Sequence, residues 1–225
     1  MWATMGLVMG FFLGQGASGG EVVPQVKLGV CDWTIEKSGD PRALDLAAKL
    51  GLAGVQVSLN IKDDSLLLTS ESVQKIYLDA AKRHGVEIAS FALGDLNNMP
   101  LQSDPRAEKW VSESIAIGQA MKVKIILVPF FGKADLRNDA PGVEAVIEIL
   151  KRLAPNAEKA GVILGLESWL SADEHLKIIE HVGSPAVQVY YDVGNSQEAG
   201  YDIFKEIRLL GNQICQLHAK DYKDL

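Results

Sequence analysis

Three side chains stand where a sequence can place chemistry. Glu167, Asp192 and His218 each fall at or near the end of a short apolar run: VILGLE at 162–167, VQVYYD at 187–192 and QICQLHA at 213–219. One strand-plus-helix repeat separates each from the next. If the three runs are neighbouring parallel strands, two carboxylates and an imidazole are aimed at one point. Carboxylates so placed repel, and one would take up a proton. A divalent cation between them removes that conflict by supplying positive charge. Mixed oxygen and imidazole donors suit Mn²⁺, Mg²⁺, Zn²⁺ or Co²⁺ rather than soft metals. Taken singly, each residue reads equally well as a strand-end cap or an ion-pair partner. Recurrence at the same place on successive strands argues for a shared site.

The elements that must position them are legible from residue 26 onward. Short apolar runs alternate with longer amphipathic ones. Strands are expected over 27–33, 54–59, 86–93, 124–131, 162–167, 187–192 and 213–219. Helices are expected over 41–50, 70–84, 105–121, 142–160, 171–182 and 197–210. Asp40 and Asp104 read as N-caps, each followed by proline, and Gly51, Gly85 and Gly161 read as stops. Strands joined through helices imply parallel pairing. Runs apolar on both faces imply a sheet covered by helices. An open doubly wound sheet and a closed barrel both fit, but the turn after the first strand, CDWTIEKSGD, lacks a G-x-G-x-x-G phosphate loop. The barrel is therefore the expected architecture.

Composition agrees with one globular domain. The 225 residues are 48% hydrophobic and 23% charged, with a formal net charge of −7. An acidic chain without clustered Lys and Arg is a poor nucleic-acid binder. No membrane span is expected beyond the N-terminus. Residues 1–25 are set apart from the domain at 26–225. Residues 1–20 carry no charge, and the apolar block LVMGFFL (7–13) precedes small residues. That pattern resembles the hydrophobic and cleavage regions of a secretory signal peptide, without the usual basic start. Export, periplasmic in a bacterium, is the expectation, with a disordered leader as the plainer alternative. Cys31 and Cys215 read as buried free thiols.

With these residues in view, G-L-E-S (165–168), Y-D-V-G-N (191–195) and L-H-A-K-D (217–221) resemble the metal-site motifs of the xylose isomerase-like TIM barrels, and L-G-V-C-D-W (28–33) is similar to their first strand. The resemblance runs from about residue 27 to 225. It implies a (β/α)₈ barrel, here with the eighth βα unit missing after Leu225 and with it a fourth ligand, a glutamate. It implies that Glu167, Asp192 and His218 bind one divalent metal ion, that Glu167 also serves as acid/base, and that Asp221 supports the histidine from behind. Asn195 stands where relatives often carry histidine, which disfavours a trinuclear zinc nuclease. His84, His175 and His181 read as exposed helix residues.

The activity so implied is isomerisation or epimerisation of a keto-sugar or sugar phosphate. The metal would polarise the carbonyl and steady an enediolate while a carboxylate takes the proton from the adjacent carbon. A lyase or dehydratase acting on a keto-sugar or keto-glycoside shares that first step. A degenerate barrel that binds carbohydrate without turnover is the non-enzymatic alternative. Trp33, Gln56, Asn98, Lys133 and Asn195 are the expected sugar-binding residues, with Asn97 beside them. Phe130 and Phe131 are expected to wall the pocket or fill the core. No basic cluster marks a phosphate site, which favours a free sugar as the small-molecule partner. A homo-oligomer is left open.

Overall fold

The seven runs that are apolar on both faces do pair in parallel. The computed structural model of the chain describes residues 7–12 and 25–220. Its first half contains β1 (Leu7–Phe12), β2 (Gln25–Cys31), α1 (Arg42–Lys49), β3 (Gly54–Ser58), a short hairpin of β4 (Ile61–Lys62) and β5 (Ser65–Leu66), α2 (Glu71–His84), β6 (Glu87–Ala92) and α3 (Ala107–Met121). Then follow β7 (Ile125–Phe130), α4 (Ala140–Ala160), β8 (Ile163–Ser168), α5 (Ala172–Val182), β9 (Val187–Asp192), α6 (Val193–Glu198), α7 (Ile203–Leu210) and β10 (Ile214–Ala219). The strands close into a ring in the order β1-β10-β9-β8-β7-β6-β3-β2.

Two apolar layers hold the ring. Outward residues such as Leu164, Leu166, Val187 and Val189 pack into the large core beneath the helices, together with Leu150, Leu153 and Ile178. Inward, a small cluster of Ala92, Leu127 and Tyr190 fills the barrel, with Ile125 and Cys215 against it. Space there is tight. A Cβ on Gly165 would lie 2.8 Å from Cys215 Sγ and 3.2 Å from Tyr190 Cβ, so β8 needs a glycine at that inward position.

Helix ends follow the expected chemistry with small shifts. Gly85 and Gly161 stop α2 and α4 at φ 67° and 66°, the left-handed region that glycine enters without strain. Asp40 and Asp104 stand one and two residues before the N-caps of α1 and α3, which are Pro41 and Arg106. Each aspartate accepts the backbone N–H two residues on, from Arg42 and Arg106, and also binds that arginine's guanidinium, so α1 begins at Arg42 and α3 at Ala107. The single helix expected over 197–210 is two. Gly200 at φ 84° breaks it, and Asp202 caps a new start by accepting from Lys205 N–H.

The largest departure concerns the apolar block assigned to a leader. Its residues Leu7–Phe12 form β1, which runs antiparallel to both β2 and β10 and takes the eighth place in the ring. Backbone pairing over long sequence distance makes this a strand, and no local pattern announces it. Among the described residues, no helix is long and apolar enough to cross a membrane.

Candidate active site

In β8, β9 and β10 the last inward-facing positions are Glu167, Asp192 and His218. Neighbouring outward residues anchor the strands in the core, and the period of two fixes the inward set. A bulge between Ile214 and Gln216 adjusts β10, and beyond it His218 lies in register with Asp192. All three side chains are buried. One ligand atom from each lies within 4.8 Å of the others.

The hydrogen bonds define how the imidazole is held. His218 Nδ1 is 2.9 Å from Glu167 Oε1 and 3.6 Å from Asp192 Oδ2. Its Nε2 lies 2.7 Å from Gln56 Oε1. An amide oxygen only accepts, so Nε2 carries the hydrogen and donates. The Cys31 thiol donates to the same oxygen at 3.3 Å. Lys220 Nζ sits 2.5 Å from Asp192 Oδ2 and donates to Asn195 Oδ1 at 3.2 Å. Asp192 Oδ1 accepts from Asn195 N–H and caps α6.

Charge follows from burial and pairing. Burial pushes the Glu167 carboxyl up, and His218 opposes it only in part. Burial acts the same way on Asp192, but His218 and Lys220 together hold that carboxylate far below its usual range. For His218 burial disfavours the charged form, yet Glu167 and Asp192 outweigh it and raise the imidazole well above its ordinary value. The two acids thus favour a proton on the imidazole between them.

These donors fit a divalent cation. Two carboxylates and an imidazole are the mixed set that such ions take. With Nε2 given to Gln56, neutral His218 would present Nδ1 as its lone pair, on the side where both carboxylates lie. Asp192 Oδ2 is buried and makes no hydrogen bond; its approach to Lys220 is an ion pair without hydrogen-bonding geometry. A cation at this point would replace the Nδ1 proton and satisfy that oxygen.

The trio opens into a cavity of about 750 Å³, whose wall includes Trp33, Asn60, Asp95, Phe131, Trp169 and Asn195 along with Glu167, His218 and Lys220. Of the residues expected to bind sugar, Trp33 and Asn195 are in the wall. Gln56 is not; it is fully buried one layer deeper, as the acceptor for His218. Asn98 is exposed and outside the wall, while its neighbour Asn97 is within it and accepts from Phe131 N–H. Lys133 is exposed and also outside the wall. Phe130 fills the core and Phe131 lines the cavity. Asp221 lies outside the described residues.

Two members of the site carry signals that sequence reasoning passed over. Lys220 is two residues past His218 and so shares its side of the strand. Cys31, read as a buried free thiol, ends β2 in the cavity wall, at the position on its strand that Glu167 and Asp192 hold on theirs. The expectation that His175 is an exposed helix residue is overturned. His175 lies on α5 but is buried, taking a hydrogen bond from Ser168 and donating Nδ1–H to Ser171 O.

A closed ring of seven parallel strands and one antiparallel strand, wrapped in helices, with an acid–acid–imidazole trio at the carboxyl ends of three adjacent parallel strands, defines a TIM-barrel protein with its candidate site at the usual mouth. The model of the xylose isomerase-like TIM barrel family matches residues 44–225, and the chain belongs to that family. Among curated relatives, 2-epi-5-epi-valiolone 7-phosphate 2-epimerase of Actinoplanes sp. is 26% identical over 197 residues, covering 87% of this chain and 72% of that protein. L-ribulose-5-phosphate 3-epimerase of Escherichia coli is 24% identical over 192 residues, covering 80% and 68%. Of solved structures, 3-keto-D-glucoside 4-epimerase of E. coli superposes with a TM-score of 0.67 at 13% identity, covering 80% of this chain and 73% of that one. A xylose isomerase domain protein of Planctomyces limnophilus gives 0.64 at 16%, covering 77% and 67%. At these identities the structures speak for the fold.

Proposed function

We propose that this protein is a divalent-metal-dependent isomerase or epimerase of keto-sugars, acting by removal of a proton next to a carbonyl. The convergence of Glu167, Asp192 and His218 at one point of the cavity carries the reading, and the epimerase names of the curated relatives support it.

In this reading Glu167, Asp192 and His218 hold the ion. The bound ion would supply Lewis acidity toward the keto oxygen and a neighbouring hydroxyl. Glu167 is the base. It lies in the cavity wall, and burial raises its proton affinity toward what abstraction from carbon needs. Lys220 neutralises Asp192 and fixes Asn195 at the rim. Return of the proton by Glu167 to the neighbouring carbon gives isomerisation. Return to the same carbon from the opposite face gives epimerisation and requires a second acid.

The test is deuterium exchange from D₂O into a panel of ketoses, followed by NMR in the presence of Mn²⁺. Exchange is expected with the wild type, and Glu167→Gln is expected to reduce it by about 10²–10⁴-fold. Exchange unaffected by that substitution would remove Glu167 from the mechanism. No exchange into any ketose, with the ion bound, would leave only a binding protein.

A further inference from the structure

The curated relatives' names pair epimerisation with phosphate esters, but the charges and capped helix ends around this cavity point elsewhere. We infer that the substrate is an uncharged keto-sugar or keto-glycoside, stacked on tryptophan, and not a sugar phosphate. The inference rests on the proposed function and specifies the ligand of that same site.

Phosphate sites use free cations or unfilled helix N-termini. Among the described residues, Lys220 is the one lysine or arginine in the cavity wall. Its ammonium is already committed to Asp192 and Asn195. Arg137 comes near, with its guanidinium 4.3 Å from the Trp169 ring centre, but it is paired with Asp135 through several hydrogen bonds. Against Lys220 the wall sets Glu36, Asp95 and Glu167, with Asp192 directly behind.

The starts of the three helices that follow β7, β8 and β9 are filled as well. Asp139 accepts from Gly142 N–H at the start of α4. At the start of α5, Ser171 accepts from Glu174 N–H, and Glu206 accepts from Ala172 N–H. Asp192 caps α6. The carboxylates at α4, α5 and α6 occupy N–H groups that a phosphate bound at those helix starts would need. A dianion entering here would lose water and meet like charge, a juxtaposition that costs several kcal/mol in desolvated sites.

What the wall offers instead is aromatic surface. Trp33 is 41% exposed at the mouth, with its ring edge-on to His218 at 6.2 Å between centroids. Trp169 is braced by Phe131 at 5.1 Å. Indole faces stack on the C–H faces of sugars, and the cavity volume lies in the upper part of the range for small-molecule sites. That leaves room for a sugar bearing a second unit.

The experiment measures binding separately from turnover. The full chain with Mn²⁺ is titrated with fructose, tagatose, ribulose and a methyl 3-keto-glucoside, and in parallel with fructose 6-phosphate and ribulose 5-phosphate. Calorimetry and tryptophan fluorescence are the readouts. At least one uncharged ligand is expected to bind about tenfold or more tighter than either ester. Trp33→Ala should weaken uncharged ligands, and Glu36→Lys, a change at the rim, should narrow the gap by strengthening the esters. Equal or tighter binding of an ester, or no binding by any uncharged ligand, overturns the inference. Preferential binding of an uncharged ligand without deuterium exchange would leave it standing while removing the epimerase reading.

Discussion

Asp32 and Asp192 are two buried aspartates, one just past the end of β2 and one at the end of β9, three places apart in the ring, and they do opposite jobs. Asp32 has its oxygens filled by three donors: Ser58 N–H at 2.9 Å, Ser58 Oγ–H at 2.6 Å and Gly39 N–H at 3.0 Å. It ties the loop after β2 to the end of β3. Asp192 has one oxygen capping α6 and the other without a hydrogen bond, facing His218 and Lys220. The early-strand side of the mouth thus uses its carboxylates as scaffolding; Asp95, which accepts from Ile61 N–H, is another case. The late-strand side keeps carboxylate oxygens available. An unfilled lone pair, and not its place on the strand alone, makes a strand-end acid a candidate ligand.

Exchanging these two aspartates should separate the roles by the largest margin. Asp32→Ala strands two backbone N–H groups and a hydroxyl in a buried place, so a stability loss of about 3 kcal/mol is expected. Its Mn²⁺ affinity, measured where the variant is folded, should stay near that of the wild type. Asp192→Ala should lose Mn²⁺ binding in calorimetry. Urea melts of both variants, set beside the titrations, check the contrast. Loss of Mn²⁺ binding by folded Asp32→Ala would erase it.

A second contrast lies between the two buried histidines of the late side. His218 faces two acids and is pushed up. His175, behind Ser168, sees mainly burial, which lowers it to about 4 despite the Ser171 carbonyl. The unfolded chain then binds a proton near the ordinary value of 6.5 that the native state refuses down to about 4. Stability from this group is therefore complete above about pH 6.5 and falls as pH drops toward 4. The loss amounts to about 2 kcal/mol at pH 5. His175→Gln should be less stable than wild type at pH 7, with the gap closing by roughly that amount at pH 5. Chemical denaturation at the two pH values reads the difference. A gap that stays constant with pH would show that His175 titrates normally in the native state.

Much of the late side was legible because periodicity reports phase. On a buried parallel strand the residues alternate inward and outward, so a polar residue at the carboxyl end stands out, as Glu167 and Asp192 do. Lys220 obeys the same alternation one step past the strand. The early side is built on turns, where no period operates. Asn97 and Asn98 are adjacent in a tight turn, and only the turn's geometry decides that Asn97 enters the wall. Gln56 is on the expected strand but sits one layer below the cavity wall, where Ser58 takes the last inward place of β3. β1 was illegible for another reason. Its charge-free composition suits a leader, and its strand character depends wholly on β2 and β10.

Gln56 supplies the finest probe of how far the early side supports the late one. It is not itself part of the cavity wall, yet its Oε1 receives the His218 Nε2–H and so assigns Nδ1 to the carboxylates. Removing such a partner from behind a metal-bound histidine costs about 10–100-fold in metal affinity. Because the trio is otherwise intact, a loss of about tenfold in Mn²⁺ affinity is expected for Gln56→Leu. Gln56→Glu keeps an acceptor at the same place and should bind within a few-fold of wild type. The ring proton supplies a readout that simple loosening of the barrel would not produce. In ¹⁵N-labelled protein the hydrogen-bonded Nε2–H of His218 should be resolved in the wild type and in Gln56→Glu, and lost in Gln56→Leu. If both variants weakened Mn²⁺ equally while that proton persisted in each, Gln56 would be filling space and orienting nothing.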